Sequence, residues 1–158
     1  MKYYIKEKCF SIGDNFDILD EQGCKCFRVE GEIFTIGNKL HIYDKGGKEL
    51  VFIKQVSLVF LPVYELYIGK KLLATIEKEL SFFEKKFKIC SNTGHYKVQG
   101  DFLAHDFSIY NRSKKVASID KKYFSFGDRY EIWIDDNEVS YLLLLALVIV
   151  IDQIYFDN

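Results

Sequence analysis

The residues of this chain that could do chemistry are scattered. Three histidines, His41, His95 and His105, fall in separate stretches without HxxxH or HExxH spacing, and no G-x-S-x-G nucleophile elbow accompanies them. A nucleophile needs a base beside it, so each histidine reads as a surface or rim residue. Cys24 and Cys26 are two apart and would share one face of a strand, but a zinc site asks for CxxC-type spacing and further ligands. With Cys9 and Cys90 they read as reduced thiols. Lys45-Gly-Gly-Lys48 has the composition of a phosphate loop, yet it falls between two strand-like runs and not between a strand and a helix. Asp135 and Glu138 have the D-x-x-E spacing of a helix capping box. No catalytic residue, metal ligand or cofactor is assigned on these patterns, and the chain reads as a non-enzyme.

The basic residues leave a second question, which only the fold can answer. Lys25, Lys45, Lys48, Lys70, Lys71, Arg112, Lys114 and Lys115 all stand at or beside turn-like sequences, so they act together only if those turns share one side of the molecule. Net charge is -1, which argues against bulk attraction to nucleic acid and leaves only a local patch.

The elements that would place them begin at the C-terminal end. Val139 to Ile151 is an almost unbroken apolar run stopped by Asp152. A helix apolar on every face must be surrounded by lipid or protein. At 1.5 Å per residue this one spans only about 20 Å, against roughly 30 Å for a bilayer core. The reading is therefore a closed β-barrel around its own helix, with the lumen filled by Leu142 to Leu145, Leu147 and Val148 to Ile151.

The preceding sequence repeats. Shifted by 24 residues, Phe10 to Val29 falls on Phe34 to Ile53, with Phe10/Phe34, Ile12/Ile36, Gly13/Gly37, Ile18/Ile42, Asp20/Asp44 and Gly23/Gly47 identical. Shifted by 43, Tyr64 to Ile76 falls on Phe107 to Ile119. Each unit is a strand, a tight turn and a returning strand, the signature of a β-hairpin. Tips are expected at Asp20 to Cys24, Asp44 to Lys48, Ile68 to Lys71, Ser91 to Gly94 and Asn111 to Lys114. With a first strand near Tyr3 to Lys6 and a last at Tyr130 to Ile134, about twelve strands result. Most alternate apolar and polar residues, as strands with one buried face do. Phe-Ser/Thr-x-Gly-Asp/Asn recurs at Phe10 to Asp14, Phe34 to Asn38 and Phe124 to Asp128 and reads as tight corners at the opposite rim.

The fold class is thus all-β with one helix, a closed antiparallel barrel of about twelve strands around a buried C-terminal helix. Residues 1 to 158 form one domain, with strands over about 2 to 134 and the helix over about 138 to 155. The opening Met1 to Lys8 has no apolar h-region, so a cytoplasmic protein is expected.

In an antiparallel meander every hairpin tip lies at one rim. The eight bases then gather there against Asp20, Glu21, Asp44 and Glu49, a local excess of about four positive charges, each worth roughly 1 kcal/mol near an anionic membrane. Lys70/Lys71 and Lys114/Lys115 occupy matching turns of the 43-residue repeat and should project in the same axial direction. The candidate ligand-binding residues are Lys70, Lys71, Arg112, Lys114 and Lys115. A second basic and aromatic group, Phe82 to Lys88, belongs near the other rim.

Phe10-Ser-Ile-Gly-Asp14, Ile53-Lys-Gln55, Gly100-Asp-Phe102, Phe107-Ser-Ile-Tyr110, Lys121 to Asp128 and Leu142 to Asp152 together resemble the LURP-one-related family, within the tubby C-terminal-like superfamily that also takes in phospholipid scramblases. The resemblance spans essentially the whole chain and implies a closed twelve-stranded barrel around a buried helix. Tubby proteins bind phosphoinositides and scramblases act on membrane lipids, but the residues that do so have no counterparts here that can be placed one by one, nor is there an acidic calcium segment or a Cys-rich palmitoylation stretch. The expected function is a non-enzymatic binding or scaffold module, monomeric, meeting anionic phospholipid headgroups or a protein partner at a barrel rim. The alternatives are an enzyme with an unrecognised rim site and a tail-anchored membrane protein.

Overall fold

The computed structural model describes residues 1–6, 15–32, 37–57, 61–79, 86–123 and 129–156, with Ser57, Leu103, Gln153, Tyr155 and Phe156 described by backbone alone. Twelve strands follow one another: β1 (Lys2–Lys6), β2 (Phe16–Leu19), β3 (Lys25–Glu32), β4 (Lys39–Asp44), β5 (Glu49–Ser57), β6 (Val63–Ile68), β7 (Lys71–Glu79), β8 (Lys86–Ser91), β9 (Tyr96–Asp101), β10 (Asp106–Asn111), β11 (Lys114–Lys122) and β12 (Arg129–Ile134). One helix, α1 (Tyr141–Phe156), ends the chain. Sequential strands pair antiparallel from β1 through β8 and from β9 through β12, and β1 closes on β12 with Lys2 opposite Trp133. The result is a nearly closed barrel whose one junction without a ladder, among the described residues, is β8 to β9.

Period-two alternation explains the wall. Ile5, Ile18, Val29, Ile42, Val51, Ile53, Leu66, Ile76, Ile109, Ile119 and Ile132 all point inward at 0% exposure. Branched side chains suit a pleated surface packed against a second element, and that element is α1, whose residues from Leu144 to Ile151 are also 0% exposed. Leu142, at the mouth, is only half-buried against the same core. No described helix is long and apolar enough to cross a membrane, and the apolar faces of α1 are spent on the barrel interior.

Four hairpins carry one extra residue just past their tips, a β-bulge at Cys26, Leu50, Leu73 and Val116. Cys26 and Leu50 are equivalent in the 24-residue repeat, and Leu73 and Val116 in the 43-residue repeat. A bulge bends its strand and breaks the alternation. Here it lets two successive side chains face the core, so Cys26, Leu50, Leu73 and Val116 narrow the tip rim around the entrance of α1. The Val116 carbonyl accepts from Asp135 N–H at 2.9 Å, fixing the turn that leads into the helix.

That turn corrects one expectation. Asp135 and Glu138 do not cap α1: the first intrahelical bond runs from Leu144 N–H to Ser140 O at 3.1 Å, and the first turn of the helix carries no acidic residue. Asp135 instead spends its Oδ1 on Asn137 N–H at 3.0 Å, an Asx turn, which competes with helix extension and delays the start from about 138 to Tyr141. The corner motifs at Phe10 to Asp14 and Phe124 to Asp128 lie outside the described residues, as does Phe82 to Lys85. Of the third corner, Gly37 is described at φ 82, in the left-handed region that glycine tolerates.

Candidate functional site

All five hairpin tips lie at the rim where Met1 meets Ile134 and where α1 enters. Two of them are near copies. Asp20 Oδ1 accepts from Gln22 and Cys24 N–H at 3.0 and 2.8 Å, and Asp44 Oδ1 accepts from Gly46 and Lys48 N–H at 2.8 and 3.0 Å. These carboxylates are therefore turn-forming groups, and Lys45 and Lys48 beside Asp44 are exposed.

The five candidate residues divide. Lys70 and Lys71 are exposed on the β6–β7 tip, and Arg112 is exposed on the β10–β11 tip, without an ion pair among the described residues. Lys114 is exposed but engaged along the rim, its Nζ 2.5 Å from Asp135 Oδ2 and 3.8 Å from Glu138 Oε1. The Lys114 ammonium, seconded by the Asn137 N–H, lowers the Asp135 carboxyl to about 2. Lys115 lies over the Trp133 ring at 5.6 Å, on the outer wall. Lys25 pairs with Asp17 at 2.8 Å, whereas Lys45 and Lys48 remain exposed without an ion pair among the described residues. The shared axial direction holds for the tips, but of the two lysine pairs matched by the 43-residue repeat it is Lys70/Lys71 that presents both charges to solvent without an ion pair among the described residues.

Arg112 adds a conformational observation. It sits at φ 57, where the other member of the 43-residue repeat has Gly69, also at φ 57. Its N–H donates to His95 O at 2.9 Å, and Asn111 Oδ1 accepts from His95 N–H at 3.2 Å, so the β8–β9 and β10–β11 tips are laced together. Between them a cleft of about 220 Å³ is lined by Thr93, Gly94, Asn111, Arg112, Lys114 and Glu138. A left-handed non-glycine residue costs about 1 kcal/mol. Arg112→Gly is accordingly expected to raise stability by up to about 1 kcal/mol while weakening any anion held at this rim. Thermal unfolding and a binding titration on the same variant check both signs.

The bases have apolar company that the alternation of the sequence concealed. Ile68 and Leu72 flank Lys70 and Lys71 and are 39% and 41% exposed, and Val139, in the loop before α1, is 96% exposed. In the sequence Ile68 and Leu72 look like ordinary strand ends and Val139 like the first residue of the apolar helix.

At the opposite rim stands a dyad that spacing could not suggest. His105, at φ 50 after the single-turn 3-10 helix Phe102–Ala104, brings Nδ1 to 2.7 Å from Asp152 Oδ1. Asp152 is 1% exposed, and the His105 ring packs at 4.7 Å from Tyr130. Burial pushes the Asp152 carboxyl up, and the hydrogen bond from His105 opposes that. The dyad fastens the last turns of α1 to the β9–β10 connection. Cys24, Cys26 and Cys90 are free thiols, Cys9 lies outside the described residues, and among the described residues no group of three or more His, Cys, Asp or Glu could hold a metal.

Comparison with known proteins gives a consistent picture. A family model described as LURP-one-related matches residues 1–152. The chain is similar to the uncharacterised protein YxjI of Bacillus subtilis (strain 168), 32% identical over 158 residues that cover 100% of this chain and 96% of the relative. It is similar also to Protein LURP-one-related 15 of Arabidopsis thaliana, 23% identical over 171 residues, 95% of this chain and 78% of that protein. Among solved structures, the X-ray structure of an Arabidopsis thaliana protein aligns with a TM-score of 0.65 at 18% identity, over 96% of this chain and 88% of that one, a likeness of fold.

Proposed function

The chain belongs to the LURP-one-related family, and from that premise we propose that it is a non-enzymatic binding module whose tip rim meets an anionic lipid surface. Membership brings the barrel and no activity, so the reading rests on the surface. Among the described residues the lumen is occupied by α1, whose residues from Leu144 to Ile151 are 0% exposed, where barrels that hold small ligands keep a cavity. Binding then belongs to the outside of the molecule.

The carrying observation is the company that the exposed bases keep. Lys70 and Lys71 stand between exposed Ile68 and Leu72, and Val139 is exposed on the same rim as Arg112. A rim that needed only solubility would pair its lysines with polar neighbours. Bases beside aliphatic tips suit a headgroup layer, where charge meets lipid phosphate and the aliphatics reach the acyl boundary.

Vesicles containing phosphatidylserine are expected to bind the full chain at low salt and release it toward physiological salt, where screening shortens to about 8 Å, while vesicles of phosphatidylcholine do not bind. Lys70→Gln with Lys71→Gln should remove most of the binding, and Val139→Asp should lower it further, with the fold unchanged by circular dichroism. Lys86→Gln with Lys88→Gln, on the wall toward the other rim, should leave it. Equal losses from both lysine sets would reduce the effect to diffuse charge and overturn the reading. Heparin bound as tightly as vesicles, with no response to Val139→Asp, would replace the lipid with a generic polyanion.

A further inference from the structure

Among the described residues the barrel lacks a rung at one junction, β8 to β9, in a part of the wall that the lipid-facing bases of the tip rim do not use. β7 pairs with β8 and β9 with β10, each through a full ladder, but among the described residues no rung joins β8 to β9 although a short turn connects them. Successive residues of a strand direct their backbone N–H and C=O groups to alternate sides, so half of these groups in Lys86–Ser91 and Tyr96–Asp101 face the junction. A free strand edge offers its N–H and C=O groups to a further strand, and among the described residues no strand pairs with this edge of β8 or of β9.

Side-chain burial marks the same gap. Ile76 and Ile109, inward-facing on the strands just outside the junction, are 0% exposed. Their cross-strand partners Ile89 and Val98 also face the core yet are only partly buried. The wall is open where β8 and β9 should meet, and part of the core shows through it. Outward of the gap stand Lys86 and Lys88 on β8 and Lys97 and Gln99 on β9, with Asp101 at the far end, all exposed. Lys88 and Lys97 form no ion pair among the described residues.

We propose that the β8–β9 junction is a peptide-binding slot that takes an extended segment of a partner protein, its backbone pairing with the strand edges, its alternate side chains apolar toward Ile89 and Val98 and acidic toward Lys88 and Lys97. Main-chain hydrogen bonds supply affinity in such strand addition, and the alternate side chains supply selectivity. The period-two geometry of a strand dictates that pattern: one face of the guest meets the exposed core, and the other meets the lysines. Isolated edges invite association, and proteins guard them with lysine. Lysine here serves that guard duty against a second copy while favouring an acidic guest. The slot is independent of the tip rim.

The test uses the full chain and a synthetic ten-residue peptide of alternating valine and glutamate, alongside the same peptide N-methylated at alternate amides so that one hydrogen-bonding edge is blocked. In the free protein, junction-facing amides within residues 86–91 and 96–101 should exchange with solvent at least tenfold faster than amides of β6 and β7. The peptide should slow that exchange tenfold or more, and N-methylation should weaken binding at least tenfold. Lys88→Glu with Lys97→Glu should also weaken it about tenfold, whereas Lys70→Gln with Lys71→Gln should not change it. Protected junction amides in the free monomer would overturn the proposal, as would absence of peptide binding. Equal affinity for the N-methylated peptide would do the same, because backbone pairing would then play no part. Protection that appears only with rising protein concentration would make the occupant a second copy, and equal protection by inorganic polyphosphate would make the lysines an ion site.

Discussion

Leu144→Asp is expected to leave no soluble folded protein, whereas Lys70→Gln should leave the fold untouched. Leu144 is 0% exposed in the first turn of α1, inside a wall whose inward residues, mostly isoleucine, are also 0% exposed. A carboxylate placed there has neither water nor a partner, and burying such a group costs several kcal/mol at least. A whole domain has only about 5–15 kcal/mol in hand. The wall resists collapsing inward, because among the described residues its strands are tied to one another around the ring, through a single rung at β1 to β2 and with no rung only at β8 to β9. Leu144→Ala should be milder, about 2–5 kcal/mol for the cavity it leaves. Urea unfolding of Leu144→Ala, and the soluble fraction of Leu144→Asp, check the pair. A chain shortened to residues 1–137 that unfolds cooperatively would show that the barrel stands without its helix and would sink this account.

The helix was readable because nothing else explains an apolar run of that length with a carboxylate at its end. The hairpins were readable because Asp20 and Asp44, and Gly23 and Gly47, repeat at a fixed spacing that places identical turns. What the sequence hid has identifiable causes. The four bulges sit at Cys26, Leu50, Leu73 and Val116, where two apolar residues in succession look like noise in an alternating strand. Asp135 and Glu138 match a capping box in spacing, but Asp135 closes its own turn and both acids turn to Lys114. Lys114 and Lys115 have the same charge and the same turn as Lys70 and Lys71, yet only the former have Asp135 and Trp133 within reach. The open junction is invisible because β8 and β9 have ordinary hairpin sequences; ladders are a property of the closed ring, and no local pattern shows which one is missing.

The second large effect concerns the dyad that sequence spacing could not show. His105 and Asp152 are 47 residues apart and meet only because α1 threads the barrel to the far rim. His105→Gly is expected to lose about 3–5 kcal/mol at neutral pH, the usual cost of leaving a buried charge without its partner. Glycine accepts φ 50 without strain, so the loss reports the ring and not the backbone. The pH dependence has a definite sign. Burial raises the Asp152 carboxyl above its ordinary value, and His105 holds that rise in check. A carboxyl raised in the native state holds its proton more tightly there than when unfolded. Its unfavourable contribution is therefore absent below the unfolded value and grows as pH climbs through the ordinary carboxylate range to the raised one. Removing His105 raises the native value further, so the loss in His105→Gly should be largest at neutral pH and shrink as the medium is acidified. In an Asp152→Asn background the pH-dependent part should vanish, leaving the other contacts of the ring, its packing against Tyr130 among them, and the double-mutant cycle isolates the pair itself. Urea midpoints of the four proteins measured from neutrality down into the carboxylate range decide it; a His105→Gly penalty that stays constant with pH would mean that the ring matters through packing alone.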